Sequence, residues 1–247
     1  GQEGYVDRLQ GYLFYLLLNI NNNTTNTDLQ NVNIRQAMSY ALDREAIANA
    51  LNDGSVAAEG IVPIQLAGNP ETGADFRDDN GKLVDYNVEE AKKLYEAGKA
   101  ELGHDVTIEL LYGTDEGDSV IKAAEQIQYY LEQVGFTVNL NGKPKKERLT
   151  LQRAYTFDVA LTRWGPDYGD PQTYMDLFTS SNTSNNQGGY ASASYDEHIE
   201  KAESGTVSAL ERWNEFLAAE KVLVQDDAGV VPVFQAGGAM LISPSIS

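Results

Sequence analysis

The side chains best suited to chemistry fall in one short stretch, Trp164-Gly165-Pro166-Asp167-Tyr168-Gly169-Asp170-Pro171. It holds an indole, a phenol and two carboxylates. Two kinds of chemistry use such a set. Paired carboxylates can act as acid and base in hydrolysis, but glycosidase pairs stand about 5–9 Å apart and come from different elements. Asp167 and Asp170 share one Pro-stiffened loop, which suits that role poorly. Alternatively, carboxylates beside aromatic walls hold a ligand without reacting with it. On residue types alone the plain readings stay open: Trp164 as a core residue, Asp167 and Asp170 as turn caps.

The elements that must position this stretch can be read on either side of it. Phe157, Val159 and Leu161 alternate with Asp158, Ala160 and Thr162, a strand pattern. Gly165-Pro166 and Gly169-Asp170-Pro171 cannot continue that strand, because each Pro lacks the N–H a ladder needs. The chain therefore leaves a buried strand into a stiff corner, and strand ends in α/β sheets are where ligands are most often held.

Upstream, Tyr12 to Asn19 is a nearly continuous apolar strand of the type buried on both faces; Gln2 to Gln10 is polar and uninformative. Ile34, Ala37, Met38 and Ala41 have helical spacing with Asn33 as N-cap, and Asp43 caps a second helix that Gly54 stops. Gly60 to Gly81 is a long irregular segment of the kind that lines a cleft. Asn87 and Glu90 open a helix to about Leu102. Val106–Tyr112, Gly117–Val134 and Phe136–Leu140 read as strand, helix, strand, a parallel βαβ unit. Lys143, Lys145, Lys146, Glu147 and Arg148 read as a solvated helix start. Gln172 to Phe178 is helical, Ser180 to Ala193 a mobile polar loop carrying Tyr190, and helices follow over Tyr195–Glu203 and Val207–Gln225. Trp213 reads as packing rather than cofactor stacking. Val230 to Phe234 is a last strand, and Pro232 implies that it lies at an edge or that the Pro enters at its end. The fold class is α/β, a mixed sheet flanked by helices.

Composition narrows the function. The 247 residues are 42% hydrophobic, enough for a real core, and carry a formal net charge of −19. Such a surface repels phosphates, so nucleic acid and anionic membranes are not expected partners. With no cysteine, thiol chemistry and Cys–metal sites are excluded. His104 and His198 fit no metal spacing and offer a Ser-His-Asp triad little. No apolar run reaches the ~18 residues of a membrane span. Gly-rich phosphate-binding patterns are absent, so no cofactor is expected. The chain opens at Gly1 rather than Met and reads as a mature or excised segment.

Two segments carry a resemblance. Trp164, two small residues, Asp167, Tyr168 and then Asp170-Pro171 resemble the signature of the extracytoplasmic oligopeptide- and dipeptide-binding proteins of ABC importers. A Leu-rich strand ending in Asn19, followed after a gap by Arg35-Gln36-Ala37-x-Ser39-Tyr40-Ala41-x-Asp43-Arg44-Glu45-x-Ile47, is similar to the scaffold that opens their C-terminal lobe. The resemblance implies a periplasmic-binding-protein-like (type II) lobe over residues 1–247. Its N-terminal lobe would lie outside this chain, as would the lipid anchor that is its only tie to the membrane. The end near Ser243-Pro244 would return to the hinge beside the first strand. The protein would be extracytoplasmic, as a cell-surface lipoprotein or in the periplasm, and would make and break no bond. Its partners would be a peptide, the permease subunits and the other lobe.

In that reading Asp167 pairs with the peptide α-ammonium, and Trp164, Tyr168 and Tyr190 wall the side-chain pockets. Asp170 serves turn geometry first and ligand second. Arg163 or Arg153 is a candidate for a peptide carboxylate. Arg35, Asp43 and Arg44 serve as helix caps and surface ion pairs. The same fold with another ligand, such as a sugar, a metal chelate or a signalling peptide, is the nearest alternative, and an acid hydrolase using Asp167 and Asp170 the more distant one.

Overall fold

The run Tyr12–Leu18 has no polar face, and it sits where both faces are covered. A computed structural model describes residues 5–22 and 24–241, the side chains of 5–7 and 239–241 excepted. Strand β1 (Tyr5–Leu18) is followed by α1 (Val32–Ala41), α2 (Arg44–Leu51), β2 (Val56–Ala57), α3 (Phe76–Asn80) and α4 (Val88–Leu102). The βαβ unit comes next, β3 (Thr107–Gly113), α5 (Asp118–Val134) and β4 (Thr137–Lys143). Then follow α6 (Lys145–Arg153), β5 (Val159–Trp164), α7 (Gln172–Met175), α8 (Ala193–Glu203), α9 (Ala209–Lys221) and β6 (Val230–Leu241). The strands form one six-stranded sheet in the order β2-β6-β1-β5-β3-β4. β3 runs parallel to β4 and β5, and β1 antiparallel to β5 and β6. The expected mixed α/β sheet is present. Among the described residues no helix is long and apolar enough to cross a membrane.

Period-two alternation along β1 feeds two cores. Phe14, Leu16 and Leu18 join Ile34, Met38, Ile108, Ile127 and Leu161 on one face. Leu13, Tyr15 and Leu17 join Ile61, Phe76, Phe178, Trp213 and Phe216 on the other. Buried Asn19 closes the strand: its Nδ2 donates to the carbonyls of Tyr155 (2.9 Å) and Phe157 (2.7 Å), tying the end of β1 to the entry of β5.

Both terminal strands are longer than the sequence predicts. β1 begins at Tyr5, within residues that carry no strand pattern, and β6 continues to Leu241. Each extension supplies the other's partner, with Tyr5 opposite Leu241. The described ends of the chain therefore lie together; Ser243-Pro244 lies outside the described residues. β6 is not an edge strand, since it lies between β2 and β1; Pro232 is tolerated there because β2 pairs only with Phe234 and Gln235, and the ladder to β1 slips a register between Phe14 and Tyr15.

Three arginines differ from expectation. Arg35 and Arg44 are buried and bond backbone carbonyls rather than surface carboxylates: Arg35 those of Leu29, Gln30 and Asp227, Arg44 those of Ser39, Leu42 and Pro232. Arg148 is buried too, pairing with Glu116 at 2.8 Å and donating to Thr162 Oγ1 at 3.0 Å. A guanidinium has donors enough to satisfy several carbonyls at once, which is what makes its burial tolerable. Two cap positions also shift. α1 is capped by Asn31, whose side chain accepts from Asn33 and Ile34, and α2 ends on Asn52 in the left-handed region. Asp43 and Asn87 cap α2 and α4 as expected.

Residues 60–81 are bound to the second core. Buried Glu220 of α9 accepts from Arg77, from Asn80 Nδ2 (2.6 Å) and from the Val62 N–H (2.9 Å). Phe76 packs edge-on to Trp213, whose Nε1 donates to Asp79 at 2.8 Å. Removing one partner of such a buried pair leaves the other charge uncompensated, at a cost of about 3–5 kcal/mol. Glu220→Ala should lower the unfolding free energy by about that much in urea titration; a loss under about 1 kcal/mol would show that this network does not hold the segment.

Candidate functional site

The corner after β5 is built against β1. Trp164 ends β5 opposite Leu13 in register, and Gly165 follows at a point where a β-carbon would stand 2.4 Å from Cε1 of Tyr12. Pro166 lies over Gly11, where a β-carbon would meet its Cδ at 2.6 Å. Tyr174 of α7 donates its hydroxyl to the Gly11 carbonyl at 2.7 Å. The β1–β6 ladder shifts register between Leu9 and Leu13, the bulge that receives these contacts. The corner thus stands against the middle of β1, and at the carboxyl ends of the parallel strands β3, β4 and β5.

The carboxylates have different surroundings. Asp170 accepts both guanidinium nitrogens of Arg212, each at 2.8 Å, and its Oδ1 caps the Gln172 N–H at 2.9 Å. Burial pushes its carboxyl up, but the Arg212 and Gln172 hydrogen bonds and the Arg212 charge outweigh this and hold it below the ordinary carboxylate range. Asp167 is exposed, and its carboxylate makes no hydrogen bond or ion pair among the described residues; only its backbone N–H is engaged, donating to Thr173 Oγ1 at 3.0 Å. Burial, and then the charge of Asp167, push the neighbouring Asp176 carboxyl up. Tyr168 is exposed at 47%, its phenol pushed up by burial and by Asp176, Asp170 and Glu203. With Arg212 committed to Asp170, the corner has negative potential to spare.

The remaining candidates separate. Trp164 is half-buried on the face that carries Tyr15 and Leu17, and lines a cavity of about 160 Å³. Arg153, exposed at the end of α6, borders the same cavity. Arg163 points to the opposite face, its Cζ 4.8 Å from the Tyr12 ring and 5.5 Å from that of Phe14, because neighbours on a strand alternate faces. It nevertheless borders the same cavity as Trp164. Tyr190 is no wall of the site: it is 4% exposed, and its hydroxyl donates to Asp227 at 2.6 Å. The paired-carboxylate alternative loses its second member, since both oxygens of Asp170 are occupied by Arg212. Arg212 itself was missed. It lies 42 residues from Asp170, and nothing in its local spacing points back to the corner. Among the described residues there is no group of three acids or histidines able to hold a metal.

Comparison with known proteins places this geometry in company. Residues 2–186 match the family model described as bacterial extracellular solute-binding proteins, family 5 Middle. The chain is 32% identical, over 99% of its length, to a dipeptide-binding protein of Lactococcus lactis subsp. cremoris, of which it covers 46%. It is similar to a solved oligopeptide ABC transporter substrate-binding domain from Bacillus anthracis (TM-score 0.91, 32% identity) and to Listeria monocytogenes OppA bound to peptide (TM-score 0.88, 31% identity). In both, 99% of this chain covers 47% of the other. The chain spans about half the length of these relatives. A further solved peptide-binding protein of a peptide ABC transporter is matched over 98% of its own chain, at 33% identity and a TM-score of 0.83.

The two buried-side carboxylates should act oppositely on stability. Asp170 is held below its ordinary value, so it contributes stability that is present above about pH 4 and lost as pH falls through the depressed value. Asp176 is held above its ordinary value, so its ionisation costs stability once pH passes about 4. At pH 7 Asp170→Asn should lower the urea midpoint and Asp176→Asn raise it, and both differences should shrink toward pH 3. The same sign for both variants at neutral pH would contradict the electrostatics described.

Proposed function

The chain belongs to the bacterial extracellular solute-binding proteins of family 5, a family of binding proteins rather than enzymes, and from that premise we propose that it is the C-terminal lobe of an extracytoplasmic peptide-binding protein. It would close with an N-terminal lobe around an extended peptide and deliver it to the permease of an ABC importer. The observation that carries the reading is the exposed carboxylate of Asp167, unpaired among the described residues and next to an acid whose ionisation it opposes. Such a group has unspent capacity for an ammonium, and the peptide α-amino group is the ammonium every peptide offers. Trp164 and Tyr168 flank it as walls. The lobe assignment is supported by the chain's share of its relatives' length and by the pairing of Tyr5 with Leu241, which brings both described ends to one point.

Closure is a population shift driven by contacts made only in the closed state. A lone lobe owns half of them, so this chain by itself should bind peptide weakly or not at all. We propose that it works on the extracytoplasmic side, as a lipid-anchored or a periplasmic protein. A signalling peptide is the second reading, favoured by the likeness to the pheromone receptor PrgZ, solved with its mode of peptide binding (33% identity, TM-score 0.87).

Hydrogen bonds to charged groups contribute about 1.5–3 kcal/mol, or roughly 10- to 100-fold in affinity. In the intact two-lobed protein, Asp167→Asn should weaken peptide binding by about that factor in calorimetry, and N-acetylation of the peptide should cost a similar factor. Unchanged affinity in both measurements would remove Asp167 from the site.

A further inference from the structure

A single guanidinium stands among the acids of the corner. Arg212 donates to both oxygens of Asp170, each at 2.8 Å. It also donates to Gln172 Oε1 at 2.9 Å, which turns that amide so that its Nε2 donates to Glu203 Oε1, again at 2.9 Å. One side chain of α9 thus reaches the corner through Asp170, α7 through Gln172 and α8 through Glu203. Around it the charge is one-sided. Burial, then Asp176, Asp170 and Glu203, push the Tyr168 phenol up, and Arg212 alone opposes them. Burial, then Asp176, push the Glu203 carboxyl up, against Gln172 and Arg212. Asp167 acts on Asp176 in the same sense. Among the described residues Arg212 is the only cation that acts on Tyr168, Asp170, Asp176 or Glu203.

A pair that served only to fix the corner would be indifferent to the charge of a ligand. This pair is not sealed away: the Arg212 side chain is 30% exposed and that of Asp170 33%. Its charges therefore act on whatever occupies the corner, through solvent and over a short range. Without Arg212 the corner would carry four uncompensated carboxylates, Asp167, Asp170, Asp176 and Glu203. Such a field would favour a second cation beside an anchored amine and repel an acid there. With Arg212 in place Asp170 is cancelled, and the field is weaker by one charge. We propose that Arg212 is a specificity-determining residue: by neutralising Asp170 it sets how far the protein distinguishes peptides by the side-chain charge of the residue that bears the anchored α-amino group. The inference rests on the peptide-binding reading above and adds the residue that tunes its charge selectivity. Arg212 acts through Asp170 and need not touch the peptide.

The intact two-lobed protein would be titrated in a calorimeter with one short peptide whose first residue is Glu or Lys. The readout is the ratio of the two dissociation constants, which a general loss of stability does not move. Arg212→Met keeps an apolar stem beside the Phe216 ring, over which the Arg212 Cζ stands at 4.6 Å, and frees Asp170. It should shift the ratio about three- to tenfold in favour of Lys. Asp170→Asn leaves Arg212 without its partner and should shift the ratio the opposite way by a similar factor. The double variant removes one charge of each sign and should return the ratio to the wild-type value, although the clamp is gone. Arg212→Lys keeps the charge without the fork and should also preserve the ratio. Both single-variant shifts should shrink between about 0.05 M and about 0.5 M salt. A ratio that neither single variant moves, or a double variant that behaves like Arg212→Met, overturns the inference. If Asp167→Asn still weakens every peptide in that case, the ammonium reading survives. Opposite shifts with an Asp167→Asn that changes nothing uphold Arg212 and remove Asp167. Should no peptide bind, carboxyl-carbon NMR of the free protein decides: Arg212→Met should raise the Glu203 titration midpoint, and an unmoved midpoint overturns the inference.

Discussion

A side chain at Gly11 would run into Pro166, and one at Gly165 into the Tyr12 ring. This close approach of a bulged strand and a proline corner is the constraint from which the rest of the site follows. It brings the exit of β5 against the middle of β1, and Tyr174 then bonds the same carbonyl-bearing residue from α7. Glycine on both sides is what the distance demands, since any β-carbon would have to displace a ring. The Arg212–Asp170 pair clamps the far end of the corner to α9. Between these two anchors lie Pro166, Asp167, Tyr168 and Gly169, and Asp167 is the one carboxylate of the corner that no cation claims. A rigid frame around an uncommitted charge is the arrangement of a binding site: the orientation cost is met in folding, and the interaction is left for a ligand.

Charge is sorted around that frame. A cavity of about 340 Å³ holds Asp176, Asp196, Glu200 and Glu203 without a basic residue in its lining. The cavity beside Trp164 is bordered by Arg153 and Arg163 and has no acid in its lining. Asp176 lines the first and its neighbour Leu177 the second, so two environments of opposite character meet at the turn after α7. In a chain of net charge −19 the acidic region needs no special cause, but a cavity without an acid does. Buried Arg148 supplies it, since its own charge is matched by Glu116 while its donors fix the polarity of the side chains around it.

The local features of this site were legible in the sequence. Turn chemistry placed the corner, and the alternation of Phe157 to Leu161 placed the strand before it. The βαβ unit and the caps at Asp43 and Asn87 also followed from spacing, because helices and turns are set by neighbours in the chain. What could not be read was set by residues far away. Arg35, Arg44 and Arg148 looked like surface cations because arginine seldom finds enough acceptors indoors; the carbonyls and carboxylate that satisfy them belong to other elements. Tyr190 looked like a loop residue because its surroundings are Ser, Asn and Gly. Yet buried Asn186 both accepts from the Tyr190 N–H and donates to its carbonyl, which lets a polar loop fold inward. The early part of β1 has no pattern of its own and becomes a strand because β6 extends beside it.

The claim at the centre is that the corner presents Asp167 to the α-amino group of a peptide. The most direct measurement is a crystal structure of the intact protein carrying a peptide. A peptide nitrogen at its amino terminus within about 2.7–2.9 Å of an Asp167 carboxylate oxygen, beside Trp164, is the predicted result. A peptide seated elsewhere, with Asp167 left in open solvent, would contradict it.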